Sequence, residues 1–206
     1  MGARKGSISY SLFHVDGEMP SDFRETFLEQ IQEFAFRELT PEAEEDVSHG
    51  WSVMDDLLSV EFSKDNVFIG EYLCLGMRND RWALPGALLK AHVERRIDEV
   101  KREHDKTKLF RSEKVAIREE VTRQLKHRTL PAAAVVDMVW TVDRREVRFW
   151  SQSNRSLELF ESLFESTFGL RLVPNNAYIA ALNCGLSDTL IGALAGVEQA
   201  QFTSFE

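Results

Sequence analysis

Lysine and arginine side chains crowd the segment from residue 86 to residue 130. This segment holds 13 Lys and Arg against 8 Asp and Glu, a local net charge of +5, whereas the other residues hold 12 basic and 26 acidic side chains. Lys and Arg contact phosphate groups and release the counterions that surround them. In a chain with a formal net charge of −9, such a concentration of positive charge indicates an anionic partner, most simply a nucleic acid.

Nine of these basic residues are candidates for contacting DNA phosphates, because they flank or oppose the apolar stripes of two predicted helices. They are Lys90, Arg95, Lys101, Arg102, Lys108, Arg111, Lys114, Arg118 and Arg128. From charge alone, the same pattern favours a solvated helical pair over nucleic-acid binding. Asp98–Arg102 and Glu119–Arg123 are spaced to support their own helices as i, i+4 pairs, which would leave no role for a ligand.

Residue patterns of the common active sites are absent from the sequence. The five histidines are scattered, no Cys and His stand at zinc-finger spacing, and neither a glycine-rich phosphate loop nor a G-x-S-x-G motif occurs. The acidic residues of 42–46 lack the alternating ligands and central glycine of a calcium loop, so a solvated loop is favoured over a cation site. We therefore expect a protein that is not an enzyme and uses no metal or cofactor.

The apolar residues and cysteines bear on localisation. No run approaches the roughly 18 to 20 apolar residues that span a membrane, and the first ten residues lack the apolar region of a secretory signal. Cys74 and Cys184 form no disulfide framework, so both are expected to be buried thiols in a reducing cytosol. The expected localisation is cytoplasmic.

Hydrophobic periodicity predicts an α+β fold with an antiparallel-rich sheet and packed helices. The predicted strands are 8–15, 59–62, 67–77, 131–142 and 147–151, the predicted helices are 22–34 and 154–168, and residues 38–50 are predicted to be a loop. The four strands from 59 to 77 and from 131 to 151 are expected to form two β-hairpins, with Lys64-Asp65-Asn66 in the first turn.

A protruding helical hairpin, the tip, is predicted between these two β-hairpins. Its first helix opens at Pro85-Gly86, and its second is capped by Ser112 and stopped by Pro131. The two apolar stripes are Leu89, Val93, Ile97 and Val100, and Val115, Ile117, Val121 and Leu125. The predicted domains are a central region of 1–85 with 131–185, the tip of 86–130, and a C-terminal tail of 186–206. Leu186, Leu190, Ile191 and Leu194 lie at helical spacing in the tail, which favours either self-association or packing onto the core.

Several of these stretches occur in an order that resembles the recombination-associated protein family RdgC. They are Leu84-Pro85, two charged helices with SEKVAIREEVTRQL, the exit Leu130-Pro131, VVDMVWTVDRREVRFW, a further helix and LRLVP. The resemblance runs from the first strand to about Pro174. Longer members of that family continue into a further domain, so the resemblance is to a short form that lacks the C-terminal domain.

The resemblance implies a homodimer that binds double-stranded DNA with little sequence preference. Members of the family form a ring around the duplex, associate with the nucleoid and restrain access of the RecA recombinase to DNA. Residues 86–130 would then be the tip helices that face the phosphates. The alternative function is a protein-interaction module whose charged helical hairpin docks an acidic partner.

Overall fold

A computed structural model describes residues 2–3, 9–43, 45–175 and 177–196. The strands are β1 (Ser11–Asp16), β2 (Val47–Val53), β3 (Phe68–Ile69), β4 (Tyr72–Arg81), β5 (Ala132–Thr141), β6 (Glu146–Phe149) and β7 (Arg171–Pro174). The helices are α1 (Phe23–Glu33), α2 (Lys64–Val67), α3 (Gly86–Glu103), α4 (Arg111–Lys126), α5 (Asn154–Phe168), α6 (Ala177–Asn183) and α7 (Asp188–Ala195). The strands form one antiparallel sheet in the order β2-β4-β5-β6-β1-β7, with β3 beside β4. The predicted α+β fold is confirmed.

Helices α1 and α5 cover one face of this sheet and enclose an aromatic core. The Phe160 ring of α5 stacks on Phe149 of β6 with 4.0 Å between ring centroids, and Phe27 of α1 stacks on Trp140 of β5 at 5.3 Å. Apolar residues three and four positions apart place these rings on one side of each helix. Helix α5 ends at Gly169, whose φ of 65° is a left-handed conformation that glycine adopts without steric cost. The two helices thus make the sheet a rigid base.

The tip leaves this base between two neighbouring strands. Strands β4 and β5 pair along their full length, from Tyr72 opposite Thr141 to Arg81 opposite Ala132. Helices α3 and α4 form the connection between them, so the chain departs from the sheet and returns to it at the same place. The basic segment is therefore mounted on the middle of the sheet rather than on a loose end.

The first predicted β-hairpin is wrong in both strands, and its second strand, 67–77, is divided by a turn at 70–71 into the end of α2, β3 and the start of β4. Residues 59–62 form no strand, and the Lys64-Asp65-Asn66 segment lies in α2 instead of a hairpin turn. The Ser63 hydroxyl accepts a hydrogen bond from the Asn66 backbone N–H, and the Asn66 side chain accepts one from the Ser63 N–H, a capping box that favours a helical turn. Besides β3 and β5, strand β4 pairs with β2, which begins inside the segment predicted to be a loop.

The chain after β7 continues into two short helices, α6 and α7, that contact each other. Ile191 is buried, whereas Leu182, Leu186 and Leu190 are exposed. Cys74 is buried as expected, but Cys184 is exposed, contrary to the prediction. Residues 197–206 of the predicted tail lie outside the described residues. No described helix combines the length and the apolar character needed to cross a membrane.

Candidate nucleic-acid interface

The two tip helices pack through an apolar cluster of their own. Its buried members are Leu109, Ile117, Val121 and Leu125, and Leu84, Leu89, Val93, Ile97 and Val100 pack against them half-buried. The stripe predicted for α3 is thereby confirmed. In α4 the prediction fails for Val115, which is 48% exposed on a different side of the helix from Ile117. The cluster holds the pair together and leaves the remaining sides of both helices to charged residues.

The turn between α3 and α4 is fixed by the carboxylate of Glu113. This carboxylate accepts a hydrogen bond of 2.8 Å from the backbone N–H of Phe110 and forms an ion pair with Lys106 at 2.6 Å. The hydrogen bond from Lys106, followed by that from the Phe110 backbone, lowers the pKa of Glu113. The N-cap residue of α4 is Phe110, so the prediction of Ser112 as the cap is wrong.

The basic residues of α3 are bound to carboxylates or carbonyls of the same helix. Lys90 pairs with Glu94 at 3.9 Å, Arg95 with Glu99 at 3.9 Å and Lys101 with Asp98 at 3.5 Å. Arg102 donates its Nε hydrogen to the backbone oxygen of Asp98 at 3.2 Å, so the predicted Asp98–Arg102 ion pair is replaced by a different contact. Arg96 lies near both Glu99 and Glu103, and the negative charge of Glu103 is the main cause of its raised pKa. Helix α3 thus neutralises much of its own positive charge.

The basic residues between 108 and 128 that were predicted to bind DNA are, by contrast, free of ion pairs. Within the described part of the chain, no carboxylate lies within 4.0 Å of the charged groups of Lys108, Arg111, Lys114, Arg118 or Arg128. All five residues are exposed. They are therefore available to an external anion.

Three of these residues form a continuous strip along α4. Arg111, Lys114 and Arg118 are spaced three and four positions apart, which places them on one side of the helix; we call them the basic strip. Their Cα atoms span about 10 Å at 1.5 Å per residue. Lys108 lies in the turn before α4 and Arg128 lies beyond its end, so neither is on a helix flank as predicted.

Arg123 is a basic residue that sequence reasoning assigned to the wrong role. It was expected to pair with Glu119, yet no ion pair joins these two residues, and Arg123 is exposed. The i, i+4 spacing permits such a pair without requiring it, because each side chain loses conformational entropy when the pair forms. Arg123 lines the same groove as Arg118, which is described below, and this shared position groups Arg123 with the interface.

Glu42 and Asp46 of the acidic loop contact the end of α4. Lys126, which is 8% exposed, pairs with Asp46 at 2.7 Å, and His127 Nε2 lies 3.0 Å from a carboxylate oxygen of Glu42. A groove of about 630 Å³ separates the loop from Arg118 and Arg123 on α4. The described residues of 42–46 form an irregular, largely exposed loop, as predicted, but the sequence did not indicate that Glu42 and Asp46 contact the end of α4. In the described residues, no group of three His, Cys, Asp or Glu side chains could hold a metal ion.

The arrangement is a rigid helical pair with one neutralised helix and one helix that carries free positive charge. Such an arrangement can hold anions in a row along α4. Comparison with the models of known protein families finds no match, and a search of curated proteins finds no match either.

Proposed function

We propose that this protein binds double-stranded DNA through the tip, with little sequence preference and without catalysing a reaction. The observation that carries the proposal is the contrast between the two tip helices: the basic strip of α4 is free of ion pairs in the described structure, whereas the cations of α3 are bound locally. Lys and Arg that meet phosphates position a duplex but read no sequence.

The resemblance of the segments between Leu84 and Pro174 to the RdgC family supplies the biological part of the proposal. On that basis the protein is a cytoplasmic, nucleoid-associated homodimer that takes part in recombination and restrains RecA access to DNA. The charge of the other residues supports the tip as the contact, because they hold 26 acidic against 12 basic side chains, and a net negative charge repels phosphates.

The salt dependence of binding follows from the number of free cations. If each of Lys108, Arg111, Lys114, Arg118, Arg123 and Arg128 neutralises one phosphate, the logarithm of the binding constant should fall with the logarithm of salt concentration at a slope of about −5. A slope near zero would show that phosphate contact does not drive binding.

A matched pair of triple variants tests which helix makes the contact. Changing Arg111, Lys114 and Arg118 to Gln should reduce affinity for random duplex DNA and make the slope less negative by about 2.7. Changing Lys90, Arg95 and Lys101 to Gln alters the net charge by the same amount, but should have a much smaller effect. Measurements at about 0.15 M salt limit long-range effects, since the Debye length is then about 8 Å. Equal losses in both variants would refute the assignment to α4.

An acidic protein partner is the second candidate function, and one observation favours it. The 42–46 loop shows that an acidic segment of this chain already binds the end of α4, through Lys126 and His127. Competition separates the candidates: poly-glutamate should displace duplex DNA only weakly if the phosphate arrangement is recognised. Poly-glutamate that binds more tightly than DNA at equal charge concentration would favour the acidic protein partner.

A further inference from the structure

Phe110 presents an aromatic ring to solvent at the far end of the tip. Its side chain is 77% exposed, although the adjacent Leu109 is buried in the apolar cluster between the helices. A single exposed apolar residue is common on protein surfaces and by itself indicates nothing. The position of Phe110 among charges and hydrogen bonds is what distinguishes it.

The backbone that carries this ring is held on both sides. Leu109 anchors the chain in the apolar cluster, and the Phe110 N–H donates to the Glu113 carboxylate at 2.8 Å. Glu113 is itself held by Lys106. The ring therefore retains only its two side-chain torsions, so a ligand that contacts it has little conformational freedom to remove.

Basic residues that form no ion pair in the described structure are close to Phe110 in the sequence. Lys108 and Arg111 lie on either side of Phe110 in the sequence, and Lys114 follows one helical turn later. In the described structure none of the three has an ion-pair partner. An aromatic side chain among free cations is the combination with which proteins bind single-stranded nucleic acids, since the ring stacks on a base while the cations follow the backbone.

We propose that Phe110 stacks on an unpaired nucleobase of DNA whose adjacent phosphates contact Lys108, Arg111 and Lys114. This inference rests on the proposed function and adds to it a preference for DNA that contains a single-stranded stretch over intact duplex. Insertion of the ring into intact duplex is less favourable, because separating stacked base pairs costs energy that contact with one ring does not recover. An unpaired base is already open to the ring.

The test compares three fluorescently labelled DNAs: a blunt duplex, the same duplex with a short gap, and the single strand. Phe110→Ala should weaken binding to the gapped and single-stranded DNAs by about 5- to 150-fold, the range expected for one base–aromatic contact. Binding to the blunt duplex should change by less than about twofold, and the salt slope should stay as in the wild type because no phosphate contact is lost. Phe110→Trp should retain or strengthen the preference for unpaired DNA.

Leu130→Ala is the matched control, since Leu130 is an apolar residue of the same tip and is 91% exposed. It should leave binding to all three DNAs unchanged. Equal weakening of all three DNAs by Phe110→Ala, or no weakening, would overturn the inference. A change in molecular mass of Phe110→Ala by light scattering, without a change in DNA preference, would also overturn it and assign the ring to a contact between copies of the chain.

Failure of this inference is distinguishable from failure of the proposed function. A wild-type protein that binds none of the three DNAs overturns both. A wild-type protein that binds the duplex and loses this binding when the basic strip is neutralised, while Phe110→Ala behaves as wild type, overturns the inference about Phe110 alone.

Discussion

Helices α3 and α4 of the tip should unfold locally while the sheet region stays folded. The substitution Leu125→Ala should make this local unfolding more frequent. Leu125 is 8% exposed in the apolar cluster between α3 and α4, which is separate from the aromatic core under the sheet. Replacing leucine by alanine removes three carbon atoms, worth about 2.4 kcal/mol at about 0.8 kcal/mol for each buried methylene. The α3 residues of this cluster are half-buried and can close part of the cavity, so the cost should stay near the lower end of the observed range, at about 2–3 kcal/mol.

Native-state hydrogen exchange measures which elements are destabilised by Leu125→Ala. A loss of about 2–3 kcal/mol should accelerate exchange of the α3 and α4 amides by about 30- to 150-fold, while the amides of β4 and β5 retain their protection. Leu163→Ala is the matched control, because Leu163 is a leucine of similar burial in the aromatic core. It should accelerate exchange in the sheet. If Leu125→Ala accelerates the sheet amides as much as those of the tip, the two clusters unfold as one unit and the reasoning is wrong.

Three further predictions concern the groove beside α4, the turn between α3 and α4, and helix α7. Glu119→Gln should strengthen duplex binding, because it removes a carboxylate from the groove that Arg118 lines; equal or weaker affinity in a titration would contradict this. The Phe110 amide resonance should titrate with the Glu113 carboxyl at a midpoint below pH 4.5, because the pKa of Glu113 is lowered. The hydrogen bond from Phe110 to the Glu113 carboxylate is then complete above pH 4.5 and is lost as the pH falls through the lowered pKa. A midpoint at or above pH 4.5 would contradict this prediction. Leu190→Asp should reduce any self-association detected by light scattering, because the exposed Leu190 side chain would otherwise be buried between copies; an unchanged mass of a dimer would rule out α7 as the contact.

Elements with a strong helical period were predictable from the sequence alone. The bounds of α5 agree with the prediction, from Asn154 to Phe168, because its apolar residues recur regularly and Gly169 ends it. Strand β2 was missed because its sequence, VSHGWSV, follows an acidic segment and does not alternate clearly. Its extended conformation depends on pairing with β4. Gly50 allows the chain at Phe36 to approach β2, because a Cβ atom at residue 50 would lie 2.6 Å from the Cα of Phe36. Tertiary contacts of this kind leave little trace in a local pattern.

The candidate site was predictable as a region but not as a set of free charges. The charge count located the tip, yet the free cations were separable from the paired ones only once the side chains were placed. Asp98 illustrates the difficulty, since it pairs with Lys101 through its carboxylate and binds Arg102 through its backbone oxygen. Sequence spacing offered both partners equally. The contact of Lys126 with Asp46 joins residues far apart in the chain and had no sequence signal.

Removal of the tip tests the central claim most directly. Arg81 and Ala132 are paired in the sheet, so residues 82–131 can be replaced by a two-residue Asn-Gly turn that joins β4 to β5 as a hairpin. Circular dichroism and thermal unfolding should show that the sheet region remains folded, because its aromatic core receives no side chain from the tip. Affinity for random duplex DNA at about 0.15 M salt should then fall by about 100-fold or more relative to the full chain. A folded tip-deleted protein that binds duplex within about threefold of the full chain would contradict the account.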